Sequence, residues 1–124
     1  MTPTLLLDSQ AVLWFATGSR LLSEAVRNRV VAEGAFVSVL TPVEFEIKER
    51  RYGFSFGLRY EELFTIAGLT PLALRFGVHN FLASLPAIHK DPFDRMLLAQ
   101  AAQEKLVLAS SDSSIRRYPV PTFW

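Results

Sequence analysis

Cysteine is absent from this chain, and its only histidines are His79 and His89. Without cysteine, the chain can form no disulfide, no thiolate metal site and no cysteine nucleophile, which fits a reducing cytoplasmic environment. Two histidines are also too few for a histidine-rich metal site. The remaining chemistry for a hard metal ion therefore belongs to carboxylates.

The sequence also lacks a membrane span, a secretion signal and a large net charge. No apolar run approaches the ~20 residues that cross a bilayer, so no membrane contact is expected. Residues 1–9 have no basic region and meet an acid at Asp8, unlike a signal peptide. The 13 Lys+Arg nearly balance the 12 Asp+Glu, giving a net charge of +1. Any binding to nucleic acid must therefore use local basic patches.

Short apolar runs alternate with helical segments along the 124 residues, which we expect to form one domain, 1–124. Strands are predicted at 5–7, 35–39, 69–74 and 106–109, with a short edge strand at 120–123. Helices are predicted at about 11–17, 22–34, 41–51, 58–67, 76–84 and 91–105, with a helical turn at 112–116. This alternation predicts an α/β sandwich with a mainly parallel sheet.

Four acids stand where a carboxylate is unusual. Asp8 directly follows one predicted strand, and Asp112 comes three residues after the end of another. Glu44 and Asp94 lie in the opening turns of predicted helices. Open parallel sheets bind ligands at the carboxyl ends of their strands, so we expect the four acids to converge there. Two ionised carboxylates about 5 Å apart repel by roughly 3 kcal/mol at an effective dielectric near 20. A converging cluster therefore indicates a divalent cation.

Each acid also has an alternative role in local structure. Asp8 is at a favoured N-cap position, and Asp94 could complete a capping box behind an N-cap at Asp91. Glu44 could pair with Lys48 one turn later, and Asp112 could be a turn residue. Taken singly, these residues leave both interpretations open.

Several segments match one known family as a set, in order and in spacing. The strongest is HKDPFDRMLLAQA at 89–101, which contains Asp94, and the others are LLLDSQAVLW at 5–14, VEFEIK at 43–48, LVLASSD at 106–112 and RYPV at 117–120. Together they resemble PIN-domain ribonucleases, specifically the VapC-type toxins of toxin–antitoxin pairs. Two positions depart from that pattern: Ser9, where threonine is common, and Ser111, where arginine is usual.

The resemblance implies a three-layer α/β/α fold and a chemistry, Mg²⁺- or Mn²⁺-dependent hydrolysis of RNA phosphodiester bonds. Asp8 and Asp94 would be primary metal ligands, and Asp112 and Glu44 would complete the catalytic cage. The implied partners are the RNA substrate, a cognate antitoxin that covers the site, and a second copy in a homodimer.

Other side chains have two interpretations each. The basic residues that could neutralise RNA phosphates, or instead form ion pairs on a solvated face, are Lys48, Arg50, Arg51 and Arg59. Phe56, Tyr60 and Phe64 fit one helical stripe, for which core packing is favoured over a surface that a partner covers. Both histidines are expected to be structural or exposed rather than catalytic.

Two alternative functions stay open. A haloacid-dehalogenase-like phosphatase also begins with an apolar strand that ends in aspartate. That class needs a second aspartate two residues later, where this chain has Gln10. The non-enzymatic alternative is a PIN-like module that only binds RNA or protein. The sequence gives no positive support for lost activity, because all four acids are ionisable.

Overall fold

The computed structural model describes residues 3–124. Within this range the strands are β1 Leu5–Leu7, β2 Ala35–Ser38, β3 Leu69–Leu72, β4 Val107–Ala109 and β5 Thr122–Phe123. The helices are α1 Ser9–Thr17, α2 Glu24–Glu33, α3 Leu40–Tyr52, α4 Tyr60–Thr65, α5 Val78–Ser84 and α6 Pro92–Glu104, and a 3₁₀ turn spans Ile115–Arg117. None of the helices described is both long and apolar enough to cross a membrane.

All strands lie parallel in one sheet, in the order β3-β2-β1-β4-β5. Leu6 of β1 lies opposite Phe36 of β2 on one side and Leu108 of β4 on the other. Strands β2 and β3 lie on one side of β1, and β4 and β5 lie on the other. The direction in which successive strands are added therefore reverses between β1 and β4. In open α/β sheets the crevice at this reversal, outside the carboxyl ends of the strands, is the usual ligand site.

The three leucines of β1 explain how the layers form. Leu5 and Leu7 belong to one buried cluster with residues of α1, α2 and α4, whereas Leu6 belongs to a second cluster with residues of α3 and α6. Successive side chains of a strand point to opposite faces, so a continuous apolar run is buried only when helices cover both faces. The predicted three-layer α/β/α sandwich with a parallel sheet is confirmed.

Helix α3 begins earlier than predicted. The sequence predicts this helix from residue 41, with Thr41–Pro42 fitting an N-cap and first helical residue, but the helix starts at Leu40. The Ser38 hydroxyl accepts a hydrogen bond from the Leu40 N–H at 3.1 Å. A residue before the helix thus satisfies one N–H group of the first turn. Pro42 is tolerated because N–H groups of the first turn have no partner within the helix.

The prediction that three aromatic residues share one stripe of α4 is wrong for Phe56. Phe56 precedes the helix and packs against Phe45 of α3, with ring centroids 4.5 Å apart. Gly57, with φ of 68°, adopts a left-handed conformation between Phe56 and the helix, so the helical spacing does not extend back to Phe56. Tyr60 and Phe64 do stack, and both pack against the first buried cluster, as core packing predicts.

Candidate active site

Acidic side chains from separate segments line one cavity of about 290 Å³ at the carboxyl edge of the sheet. The four acids singled out in the sequence all contribute to it: Asp8, Glu44, Asp94 and Asp112. Asp91 and Lys48 line the same cavity. The expected convergence of the four carboxylates is therefore observed, at the crevice between β1 and β4.

Asp8 combines a local structural role with a place in the cavity. It is the N-cap of α1, and its Oδ1 accepts a hydrogen bond from the Ala11 N–H at 2.8 Å. The residue is only 5% exposed. Burial raises the pKa of Asp8 to about 6, although hydrogen bonds from Ser110 and Ala11 oppose the rise; Asp94 and Asp112 add to it by repulsion. The fold therefore holds this carboxylate where its charge is poorly compensated.

Glu44 is held at both carboxylate oxygens. The Ser9 hydroxyl donates to Oε1 and the Lys48 ammonium donates to Oε2, each at 2.6 Å. Glu44 and Ser9 are buried, whereas the Lys48 side chain is half-exposed, so only the bond to Ser9 is fully shielded from water. Desolvation alone would lower the pKa of Lys48, but its bond to Glu44 and the attraction of nearby acids raise it instead. The ion pair considered from the sequence forms, and it brings a positive charge into the cavity.

Asp94 is positioned by the start of α6. Asp91 is the N-cap of that helix, as predicted, and its Oδ1 accepts from the N–H groups of Phe93 and Asp94 at 2.9 and 3.1 Å. The Asp94 carboxylate lies 2.9 Å from Nε2 of His89. Burial, and then repulsion from Asp91, raise the pKa of Asp94 to about 6, while His89 acts in the opposite direction.

Asp112 lies in the turn that follows β4. Its N–H donates to the Ser110 hydroxyl at 3.1 Å, and its Oδ1 accepts from the Ser114 N–H at 2.8 Å. The turn role considered from the sequence is therefore real. It also brings Asp112 close to two other possible metal ligands, since one ligand atom from each of His89, Asp94 and Asp112 lies within 4.8 Å of the others.

Residues 5–121 match the family model of the PIN domain. The chain belongs to the PIN-domain family. This confirms the resemblance to PIN domains that the matching sequence segments carry.

Two solved structures share the fold of this PIN domain. One is VapBC2 from Rickettsia felis bound to a DNA fragment from its promoter, with a TM-score of 0.72 and 9% identity over 96% of each chain. The other is FitAB bound to the IR36 DNA fragment, with a TM-score of 0.61 and 16% identity over 96% of this chain and 93% of that chain. Identities this low show a common fold. Comparison with curated proteins found no significant match.

Most of the predicted basic cluster of this PIN domain lies away from the cavity. Arg50 pairs with Glu46 and Arg59 pairs with Glu62, all with largely exposed side chains. Such surface pairs are typical of a solvated helix face and contribute little to stability. Lys48 is the member of the cluster that lines the acidic cavity.

Two partners of the predicted acids were not expected from the sequence. His89 was expected to be structural or exposed, yet its ring contacts Asp94. Ser9 was noted only as a departure from threonine, yet its hydroxyl binds Glu44. A weak signal for His89 was present, because it lies inside the segment that carries the strongest resemblance. Ser111, the other departure, lines the cavity, so no arginine is contributed from that position.

Proposed function

We propose that this PIN domain is a metal-dependent endoribonuclease and the toxin of a type II toxin–antitoxin pair. The observation that carries the proposal is the convergence of Asp8, Glu44, Asp94 and Asp112 on one cavity. The four acids come from distant parts of the sequence, and capping or turn formation explains each position separately but not their meeting. A cluster of carboxylates is the donor set with which a hydrolase can hold Mg²⁺ or Mn²⁺.

The donor set fits a hard divalent cation, Mg²⁺ or Mn²⁺. Among the residues described, five carboxylates line the cavity against one lysine, and the pKa values of Asp8 and Asp94 are raised to about 6. The protein alone therefore leaves these charges uncompensated, and oxygen donors are what such cations prefer. We assign Asp8 and Asp94 as primary ligands and Asp112 as a further oxygen donor.

Glu44 contributes to the proposed metal site in a different way, because both of its carboxylate oxygens already accept hydrogen bonds within the protein. Its charge adds to the attraction for a cation, and its oxygens fix the Ser9 hydroxyl and the Lys48 ammonium. Lys48 is half-exposed at the cavity, where it can donate to a phosphate oxygen of RNA. Glu44 therefore positions the group that we expect to hold substrate.

When bound, the cation supplies positive charge that polarises the scissile phosphate and lowers the pKa of the attacking water. The residues of the chain orient the reactants. Without a cation the acids would repel a phosphodiester from the cavity, and Lys48 would oppose that repulsion at one side only. RNA cleavage should accordingly require added cation.

The direct test is incubation of the purified protein with mixed RNAs. We expect cleavage with Mg²⁺ or Mn²⁺, no cleavage with excess chelator, and recovery when cation is restored. Hydrolysis of phosphomonoesters without RNA cleavage would favour the phosphatase alternative. Tight binding of RNA or protein with neither activity would favour the binding module and overturn the nuclease proposal.

The proposed partners are a cognate antitoxin and a second copy of the toxin. The structural neighbours VapBC2 and FitAB were both solved bound to DNA fragments. The fold that this chain shares with them supports a complex with an antitoxin here. Val43 and Ile47, one turn apart on α3 beside Glu44, are 49% and 51% exposed, which suits a surface that a partner covers.

When the protein is purified from cells that carry its native neighbouring genes, we expect a small second protein to copurify. The mass of the complex, measured by light scattering, should correspond to two copies of the toxin with bound antitoxin. The copurified protein should inhibit RNA cleavage when it is added back. Recovery of this chain alone as a monomer would contradict the proposed partners.

A further inference from the structure

We propose that His89 is itself a ligand of the metal, and that its imidazole makes the site favour a first-row transition dication such as Mn²⁺ over Mg²⁺. The inference rests on the proposed metal-dependent function and adds a nitrogen donor to a set of carboxylates. His89 lies outside the four acids that the resemblance singles out. Three observations carry it.

The first observation is the distance between the donor atoms. Nε2 of His89 and Oδ2 of Asp94 are 2.9 Å apart, and one ligand atom from each of His89, Asp94 and Asp112 lies within 4.8 Å of the others. Donors that occupy adjacent positions of an octahedral ion at about 2.1 Å lie about 3 Å from each other. The distance between His89 and Asp94 therefore has the size that adjacent ligands of one ion require, and Asp112 offers a ligand atom within 4.8 Å of both.

The second observation is that the backbone of His89 is anchored. Its N–H donates to the Tyr118 hydroxyl at 2.8 Å, and that hydroxyl also accepts from the Arg95 guanidinium at 3.1 Å. Arg95 donates in addition to the carbonyl of Pro86, at 2.8 Å. Tyr118 is buried, so these bonds tie the segment before α6 to the core. The ring is thus presented by a fixed backbone rather than by a free surface loop.

The third observation is the chemistry of the donors. Mg²⁺ takes oxygen ligands and retains several waters, whereas imidazole nitrogen suits transition dications. A site with His89, Asp94 and Asp112 combines both donor types. Loss of a group that only supports a ligand typically costs about 10–100-fold in metal affinity, so a change of His89 to glutamine should weaken Mn²⁺ binding by more than about 100-fold and Mg²⁺ binding by much less.

An ordinary hydrogen bond between His89 and Asp94 would give the same 2.9 Å distance. In that case the imidazole would orient the carboxylate without touching the ion. His89→Gln would then weaken Mn²⁺ and Mg²⁺ binding alike. The two arrangements differ in whether nitrogen is bonded to the metal, which can be measured directly.

The experiment is pulsed electron paramagnetic resonance of Mn²⁺ added to the metal-free protein. We expect the wild-type spectrum to show ¹⁴N coupling from one directly bonded imidazole. His79→Gln is the matched control, because His79 is the only other histidine and its ring contacts Phe76 instead. This variant should keep the ¹⁴N coupling, and His89→Gln should lose it. Titration calorimetry with Mn²⁺ and Mg²⁺ would give the affinity ratios.

Bound Mn²⁺ without ¹⁴N coupling in the wild type would overturn the role of His89 and leave the carboxylate site intact. If the wild type binds neither Mn²⁺ nor Mg²⁺, the proposed function itself is wrong. The wild-type spectrum decides the question even if His89→Gln does not fold.

Discussion

Asp94→Asn should lower metal-dependent RNA cleavage by more than about 100-fold, while Asp91→Asn should lower it by less than about tenfold. Changes to groups that only support metal ligands typically cost 10–100-fold, so loss of a ligand should cost more. Both substitutions remove one negative charge from the same cavity. Asparagine is as good an N-cap as aspartate, so Asp91→Asn preserves the start of α6.

Comparison of Asp94→Asn with Asp91→Asn distinguishes a specific ligand role of Asp94 from a general effect of negative charge. Initial rates of cleavage over a range of Mn²⁺ concentrations should show that excess cation does not restore the activity of Asp94→Asn. Circular dichroism and thermal melting should show that both variants are folded. Equal losses for the two variants would mean that only the total charge matters, and the assignment of Asp94 would then be wrong.

The position of the site could be predicted because it depends on local sequence features. Asp8 and Asp112 each follow a short apolar strand, and the carboxyl ends of parallel strands share one edge of a sheet. Asp94 follows an aspartate–proline pair that begins a helix, which fixes its place in the first turn. Local patterns of this kind specify where a residue stands in an element, and topology then brings the elements together.

The partners of the acids could not be predicted because they depend on contacts distant in sequence. Ser9 and Glu44 are 35 residues apart, and their bond forms only once β1 and β2 pair. The position of His89 depends on Tyr118, 29 residues later. Neither contact leaves a periodic pattern. The early start of α3 has a similar origin, since it depends on a serine that lies outside the helix.

Helix spacing was also insufficient to identify every buried residue. The spacing of Val26, Val30 and Val31 along the sequence fits one helical stripe, yet Val26 and Val30 are buried while Val31 is 75% exposed. Adjacent residues of a helix are about 100° apart, so Val30 and Val31 can share a face only if that face is wide. The face of α2 that meets the sheet is narrower than the sequence suggested.

Asp8→Asn should stabilise the metal-free protein at pH 8 and have little effect at pH 4. The pKa of Asp8 in the folded protein is about 6, above its ordinary value of 3.8. The folded state therefore binds the Asp8 proton more tightly than the unfolded chain does. Protonation of Asp8 thus stabilises the fold below pH 4, and this stabilisation is lost as the pH rises through 6. A shift of this size corresponds to about 3 kcal/mol, or roughly 10 °C in melting temperature.

Thermal melting of both proteins in chelator between pH 4 and 8 measures the effect. The asparagine oxygen can still accept from the Ala11 N–H, so the cap of α1 is retained. Glu46→Gln is the control, because this exposed acid of α3 lines no part of the cavity and its change should alter stability by less than about 0.5 kcal/mol at any pH. If Asp8→Asn lowers the melting temperature at pH 8, the buried charge of Asp8 does not destabilise the folded protein.

Saturating Mn²⁺ should reverse the order of the two proteins at pH 8. An ion that binds only the folded state raises stability in proportion to the logarithm of its concentration over its dissociation constant. At about 1,000 times its dissociation constant the ion adds about 4 kcal/mol to wild type, which exceeds the expected advantage of Asp8→Asn, so wild type should gain more than about 10 °C. Asp8→Asn, which lacks a ligand, should gain little. At pH 5 the gain should shrink, because protons compete with the ion for Asp8 and Asp94. Such a reversal would mean that the fold tolerates an unfavourable charge because the cation later compensates it, the usual relation between stability and function at a binding site.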